Sequence, residues 1–172
     1  MKLIAETERL LIREWDASDA KDIFMLNEDP EVVRYTGDRA FVNVKEALSL
    51  ILNYDQYRQY GIGRWAVLDK SSGDFLGWSG LKRNGDGVVD LGFRFFRKHW
   101  GGGFATEAAL ACLDYGFSKK GISGIVGRAM SENIASVRVL EKVGMSFVKE
   151  FDFDGQLGVE YCLAKRDFEF GK

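Results

Sequence analysis

Trp100-Gly101-Gly102-Gly103-Phe104-Ala105-Thr106-Glu107 decides how the rest of the chain is read. The three glycines run straight into an apolar helical stretch, Ala105 to Lys119, and the preceding Val88-Val89-Asp90-Leu91-Gly92-Phe93-Arg94-Phe95 alternates as a strand does. The order is therefore strand, glycine loop, helix. Glycine leaves backbone N–H groups uncovered by side chains. A helix N-terminus adds unpaired donors and a partial positive charge. Together they suit a phosphate or diphosphate.

Two motifs that share this order do not fit. A P-loop needs Lys-Ser or Lys-Thr after its last glycine, and neither follows here. The dinucleotide fingerprint needs glycine where Thr106 stands and an acidic residue about 20 positions on. The strand-like run 124–130 offers no such acid, and strand 88–95 alternates where a central parallel strand would be almost wholly apolar.

Working outward, Arg9 to Arg13 reads as an opening strand, and Asp16 as the cap of a helix running to about Asn27. Asp29-Pro30 starts a short turn of helix, and Asn43 with Glu46 caps a helix expected to continue to Gly61. Three alternating runs, 64–68, 75–82 and 88–95, are separated by short glycine turns and predict an antiparallel meander. After the glycine loop and its helix come a strand at 124–130, a helix at 133–143 and a hairpin built from 147–153 and 159–164. The unit from strand 88–95 through a helix to strand 124–130 is a crossover, so those two strands should be parallel within an otherwise antiparallel sheet.

The 172 residues show no composition break or repeat, and a single domain spanning 1–172 is expected. Apolar residues at 46% and charged residues at 29% are ordinary for a globular chain. A net charge of −2 gives no general nucleic-acid surface, so an anionic ligand would be held locally. Cys112 and Cys162 lack metal-ligand spacing, and a lone histidine, His99, cannot build a metal site, so no metal is expected. Without a signal-like N-terminus or a long apolar run, the expectation is a cytoplasmic protein not associated with membrane.

The stretch Trp100 to Ala108 resembles the acetyl-CoA diphosphate loop of GNAT-type N-acetyltransferases, in particular the branch of ribosomal-protein N-terminal acetyltransferases. Thr7 to Arg13, Asp29 to Val32, Asp90 to Phe93 and Glu132 to Gly144 resemble further stretches of that branch, in the same order. The resemblance implies an α+β fold, with a mostly antiparallel, V-split sheet of about seven strands and flanking helices. It implies acetyl-CoA as cosubstrate and a primary amine, either a protein N-terminus or a small molecule such as an amine antibiotic or polyamine, as acceptor. Transfer would be by direct attack in a ternary complex. A CoA-binding sensor that has lost the chemistry is the alternative.

The resemblance also implies roles. Trp100, Gly101, Gly102, Gly103, Phe104, Ala105 and Thr106 would hold the diphosphate, and the main chain of Phe93, Arg94 and Phe95 the pantetheine arm. Asn133 and Ser136 would contact the cofactor. Many family members carry a tyrosine acid four residues after the serine; Leu140 stands at that position here, and the resemblance to the ribosomal-protein branch implies that Ser136 protonates the CoA sulfur instead. Asp90 is the candidate general base, with a solvated strand carboxylate or a partner for Arg94 as the plainer reading, and Glu160 is a second candidate. Tyr35, Phe41, Tyr54, Tyr57 and Trp65 are candidates for an acceptor pocket, although aromatics at such spacing usually pack in a core. The last hairpin could pair across a homodimer.

Overall fold

The computed structural model describes residues 2–170. Its strands form one eight-stranded sheet in the order β1-β2-β3-β4-β5-β6-β8-β7. The strands are β1 Leu3–Glu6, β2 Leu10–Arg13, β3 Arg64–Asp69, β4 Phe75–Arg83, β5 Val89–Phe95, β6 Gly124–Met130, β7 Ser146–Phe153 and β8 Gln156–Ala164. Every neighbouring pair is antiparallel except β5 with β6. The crossover expected from the sequence is present, and the sheet has one strand more than expected. The extra strand, β1, is a short edge that pairs only with β2.

The first helix begins as a 3-10 turn, Ala17–Asp19, closed by a reciprocal capping box between Asp16 and Asp19, and continues as α1, Ala20–Glu28. Arg13 fixes that start from β2 by donating to both carboxylate oxygens of Asp19 at 2.7 Å. Helix α2, Pro30–Val33, starts at the expected cap, Asp29. The helix expected from Asn43 to Gly61 is broken into α3, Val44–Leu52, and α4, Gln56–Tyr60. Side-chain bonds cluster at the break. Asn53 turns its amide back onto the Ser49 carbonyl, and the Tyr54 hydroxyl is taken by the Arg64 N–H. Helix α5 spans Phe104–Asp114, and α6 spans Ile134–Lys142 with Asn133 as its N-cap.

Two apolar clusters lie on opposite faces of the sheet. The larger packs α5 and α6 on Leu81, Val89, Leu91, Phe95 and Ile125. The smaller packs α1 and α3 against Trp15, Ala66 and Trp78. Strand alternation assigns β5 to both: Val89, Leu91, Phe93 and Phe95 face α5, and Asp90, Gly92 and Arg94 face the other way.

Cys112 is buried on α5 and donates to the Ser79 hydroxyl at 3.5 Å, and burial pushes its thiol up to about 12. Cys162 is exposed on β8. A thiol-specific disulfide reagent at pH 8 should therefore titrate one thiol per native chain and both after denaturation. Two fast-reacting thiols in the native protein would contradict this packing.

Candidate functional site

The parallel pairing of β5 with β6 covers only Asp90 with Val126 and Leu91 with Gly127. Beyond that point the strands part. Gly92 to Phe95 keep their register with β4, and Arg128 to Met130 keep theirs with β8. Each strand thus presents a free backbone edge to the gap between them. Backbone donors and acceptors that are not exposed to water need partners, and an extended ligand supplies them strand-to-strand.

The glycine loop follows β5 at the open end of this split. Gly101 has φ +76° and Gly103 φ +79°, a region that side chains disfavour, and Gly103 is the residue from which α5 starts. Glu107 N–H is the first in this helix to bond back, to the Gly103 carbonyl. The N–H groups from Gly101 to Thr106, and the Thr106 hydroxyl, have no acceptor among the described residues. The Trp100 indole donates to the Phe95 carbonyl at 2.9 Å and ties the loop to the end of β5.

A second tie was not legible as such in the sequence. Glu107, in the first turn of α5, accepts from Thr7 Oγ1 at 2.6 Å, from Arg9 N at 3.0 Å and from Arg9 Nε at 2.7 Å. Arg9 also donates to the Gly102 carbonyl at 2.9 Å, and its guanidinium lies 4.3 Å from the Phe104 ring centroid. Engaging the Gly102 carbonyl with Arg9 keeps that acceptor away from an incoming anion. His99 borders the loop, but burial lowers its pKa from 6.5, so it brings little positive charge at pH 7. Among the described residues no cluster could hold a metal ion.

On the face away from α5, Asp90 is paired with Arg64, not Arg94: Nη2 donates to Oδ1 at 2.7 Å, and Nη1 bonds the carbonyls of Gly80 and Asp90. Arg64 reaches across β4 and lies over Gly92 of β5, where only glycine leaves room; a Cβ there would lie 2.7 Å from the guanidinium. Arg94 instead donates to Asn27 at 2.5 Å and to Asp38 at 2.7 Å. Both guanidinium groups lie near the Trp78 ring, at 5.4 and 5.2 Å from its centroid. Glu160, also buried, accepts from Arg128 at 2.7 Å.

Two cavities open on this side. One of about 640 Å³ is lined by Trp15, Asn27, Phe41, Trp78 and Arg94 among others. The other, of about 410 Å³, is lined by Tyr35, Asp38, Met130, Glu132 and Gln156 among others. Tyr35 and Phe41 thus line open space. Trp65 does not. It is fully enclosed in the α5-side core, 5.2 Å from Tyr115, and cannot line an acceptor pocket. Tyr54 and Tyr57 are used to brace Arg64, the first by accepting from its N–H and the second by donating to its carbonyl. Asn133 Oδ1 accepts from Ser136 N–H at 3.2 Å as an N-cap, which leaves the Ser136 hydroxyl without a partner among the described residues. Leu140 is buried and packs against Gly127.

The split and the loop fit a long ligand with an anionic end. The fit rests on free backbone edges, unpaired loop donors and glycines at positive φ. Burial raises the Glu107 pKa, but the bonds from Thr7 and Arg9 outweigh it and hold the group below the usual carboxylate value. That stabilisation is complete above the unfolded value of about 4.3 and is lost as pH falls through the lowered folded value. Glu107→Gln should therefore cost stability at pH 7 and progressively less below pH 4, as read from urea midpoints. A cost independent of pH would contradict the strap.

A family model described as "Acetyltransferase (GNAT) domain" matches residues 9–146. The uncharacterized protein YkkB of Bacillus subtilis is 35% identical over 149 residues, covering 83% of this chain and 85% of that protein. A ribosomal alpha-N-protein acetyltransferase in complex with coenzyme A superposes with a TM-score of 0.82 at 13% identity, covering 95% of this chain and 98% of that one. A spermidine N-acetyltransferase from Vibrio cholerae, in complex with CoA and spermine, gives 0.79 at 20% identity, covering 94% and 98%. These two structures share the fold and are named for different acceptors, so the likeness does not single out the ribosomal-protein branch. With the family model covering most of its length, this chain belongs to the GNAT family of acetyltransferases.

Proposed function

We propose that the protein transfers an acetyl group from acetyl-CoA to a primary amine, a protein N-terminus or a small molecule, by direct attack in a ternary complex. The observation that carries this reading is that the unpaired N–H groups of Gly101 to Thr106 stand at the open end of the split between β5 and β6. The loop, from Trp100 through Phe104 and Ala105 to Thr106, takes the diphosphate on main-chain donors and the positive end of α5. The free edge of Phe93, Arg94 and Phe95 takes the pantetheine arm, although the Phe95 carbonyl is already used by Trp100.

In this reading the neutral amine nitrogen bonds to the thioester carbon and then sheds one proton, the C–S bond breaks, and the sulfur leaves as a thiolate that takes up one proton, so that amide and free thiol result. Ser136, with a hydroxyl free for the purpose, donates that proton, and Asn133 holds the first turn of α6 in place. A typical amine arrives protonated at pH 7 and must lose a proton before attack. Asp90 Oδ2 is not engaged by Arg64 and remains open to a proton or an ordering water. Tyr35 lines the side from which the acceptor enters, and Glu160 with Arg128 lies on the same face of the sheet.

The sensor reading draws on a specific observation: Leu140 is buried where a proton donor is common, and Asp90 is in an ion pair. Turnover separates the two. A screen of amines and peptide N-termini, read by mass spectrometry and thiol release, should find at least one acetylated acceptor. Ser136→Ala should then lower kcat about 100-fold, the low end of general acid–base contributions, while leaving CoA binding intact. CoA binding with no acetylated product across the screen would support the sensor instead.

A further inference from the structure

Arg94 belongs to two surfaces at once. Its main chain lies on the part of β5 that β6 has left. Its side chain points to the opposite side of the molecule from α5 and is only 10% exposed. There it donates to Asn27 on α1 and to Asp38, with its guanidinium near the Trp78 ring. Asn27 is itself buried, so this end of the contact is fixed by packing. Asp38 is 58% exposed and sits in the stretch between α2 and α3, which has no regular secondary structure beyond a turn.

Asp38 is also the residue that the two cavities have in common. The Arg94–Asp38 bridge is therefore part of the partition between them, and it starts from the strand that edges the split. The other ties act on either side of Asp38: Thr36 donates to the Val33 carbonyl, Val42 N–H donates to Glu46, and Phe41 packs on the cluster around Trp15. Arg39 reaches Glu46 at 3.2 Å with its side chain 71% exposed, where water screens an ion pair. Asp38 N–H donates to the Thr36 hydroxyl, a bond within the stretch itself.

We propose that Arg94 is a positioning residue for the acceptor: by holding Asp38 it fixes the stretch 34–43 over the mouth of the split, so that the acceptor wall is tied to the strand that receives acetyl-CoA. This rests on the acetyltransferase reading above. The fork geometry matters. One guanidinium reaches the Asn27 amide oxygen and the Asp38 carboxylate with separate nitrogens, an arrangement a lysine ammonium on a flexible stem does not reproduce. The role needs no contact between Arg94 and the reacting atoms.

The test compares wild type with Arg94→Gln, Arg94→Lys, Asp38→Asn and the Gln/Asn double variant. With an acceptor from the screen, the two single charge removals should each raise KM for the amine about tenfold, with kcat changed by less than about threefold. The double variant should be no worse than the worse single, because both changes break the same bridge. Arg94→Lys should not restore the wild-type KM. An unchanged KM for the amine, or fully additive losses in the double variant, would overturn the proposal.

Amide hydrogen exchange adds an arm that needs no acceptor. In Asp38→Asn, an exposed and conservative change, amides in 34–43 should exchange about tenfold faster while those of β4 and β5 keep their wild-type rates. Equal rates across 34–43 in the two proteins would overturn the proposal by itself. A wild type that binds no CoA would instead defeat the function proposed above, and the exchange arm would still judge the hold of Arg94 on the stretch.

Discussion

The structure depends on how little of β5 and β6 is paired. Two residues of each strand are in register, and then the strands separate. Leaving backbone edges unpaired is costly, so each strand has to be held from its outer side. β4 pairs with β5 along its whole length, and β8 does the same for β6. The gap is therefore kept open by the sheet on both sides of it. It also ends where the chain leaves β5 for the glycine loop. The position of the anion-binding donors then follows from strand connectivity, with Trp100 and the Arg9–Glu107 strap setting the final orientation.

The two faces of the split sheet divide the remaining work. The α5 face is apolar and closely packed, with Leu113, Phe117 and Ile125 fully buried and Cys112 held as an inert thiol. The opposite face carries charges in pairs: Arg64 with Asp90, Arg94 with Asp38, Arg128 with Glu160. Because each of these three guanidinium groups has a carboxylate partner, the three pairs add no net charge beside the cavities. It also means that any proton-transfer role for Asp90 or Glu160 must work around an existing ion pair. The free hydroxyl of Ser136 is under no such constraint.

Most of the architecture was legible because it rests on local signals. The capping residues Asp16, Asp29, Asn43 and Asn133 mark helix starts that the structure confirms. The glycine turns and alternation marked the meander, and the single crossover gave the parallel pair. What the sequence hid was long-range. Nothing local to Arg64 says that it will pass over Gly92 to reach Asp90, so Arg94 was the nearer but wrong partner for that carboxylate. At the break, the Tyr54 hydroxyl meets the N–H of Arg64, ten residues further on. Trp65 reads as an aromatic in a pocket-forming region, yet strand alternation turns it into the α5-side core. Asp38 sits in a polar stretch with no pattern to single it out, and only the fold brings it to Arg94.

The most direct measurement is a titration of the labelled protein with CoA, followed by the backbone amide resonances in a ¹H–¹⁵N correlation spectrum. The account expects the amides of Gly101 to Thr106 to show the largest downfield shifts, as donors to phosphate do, with Phe93 to Phe95 responding alongside them. Saturable binding that leaves those amides unmoved and shifts a different surface would contradict it.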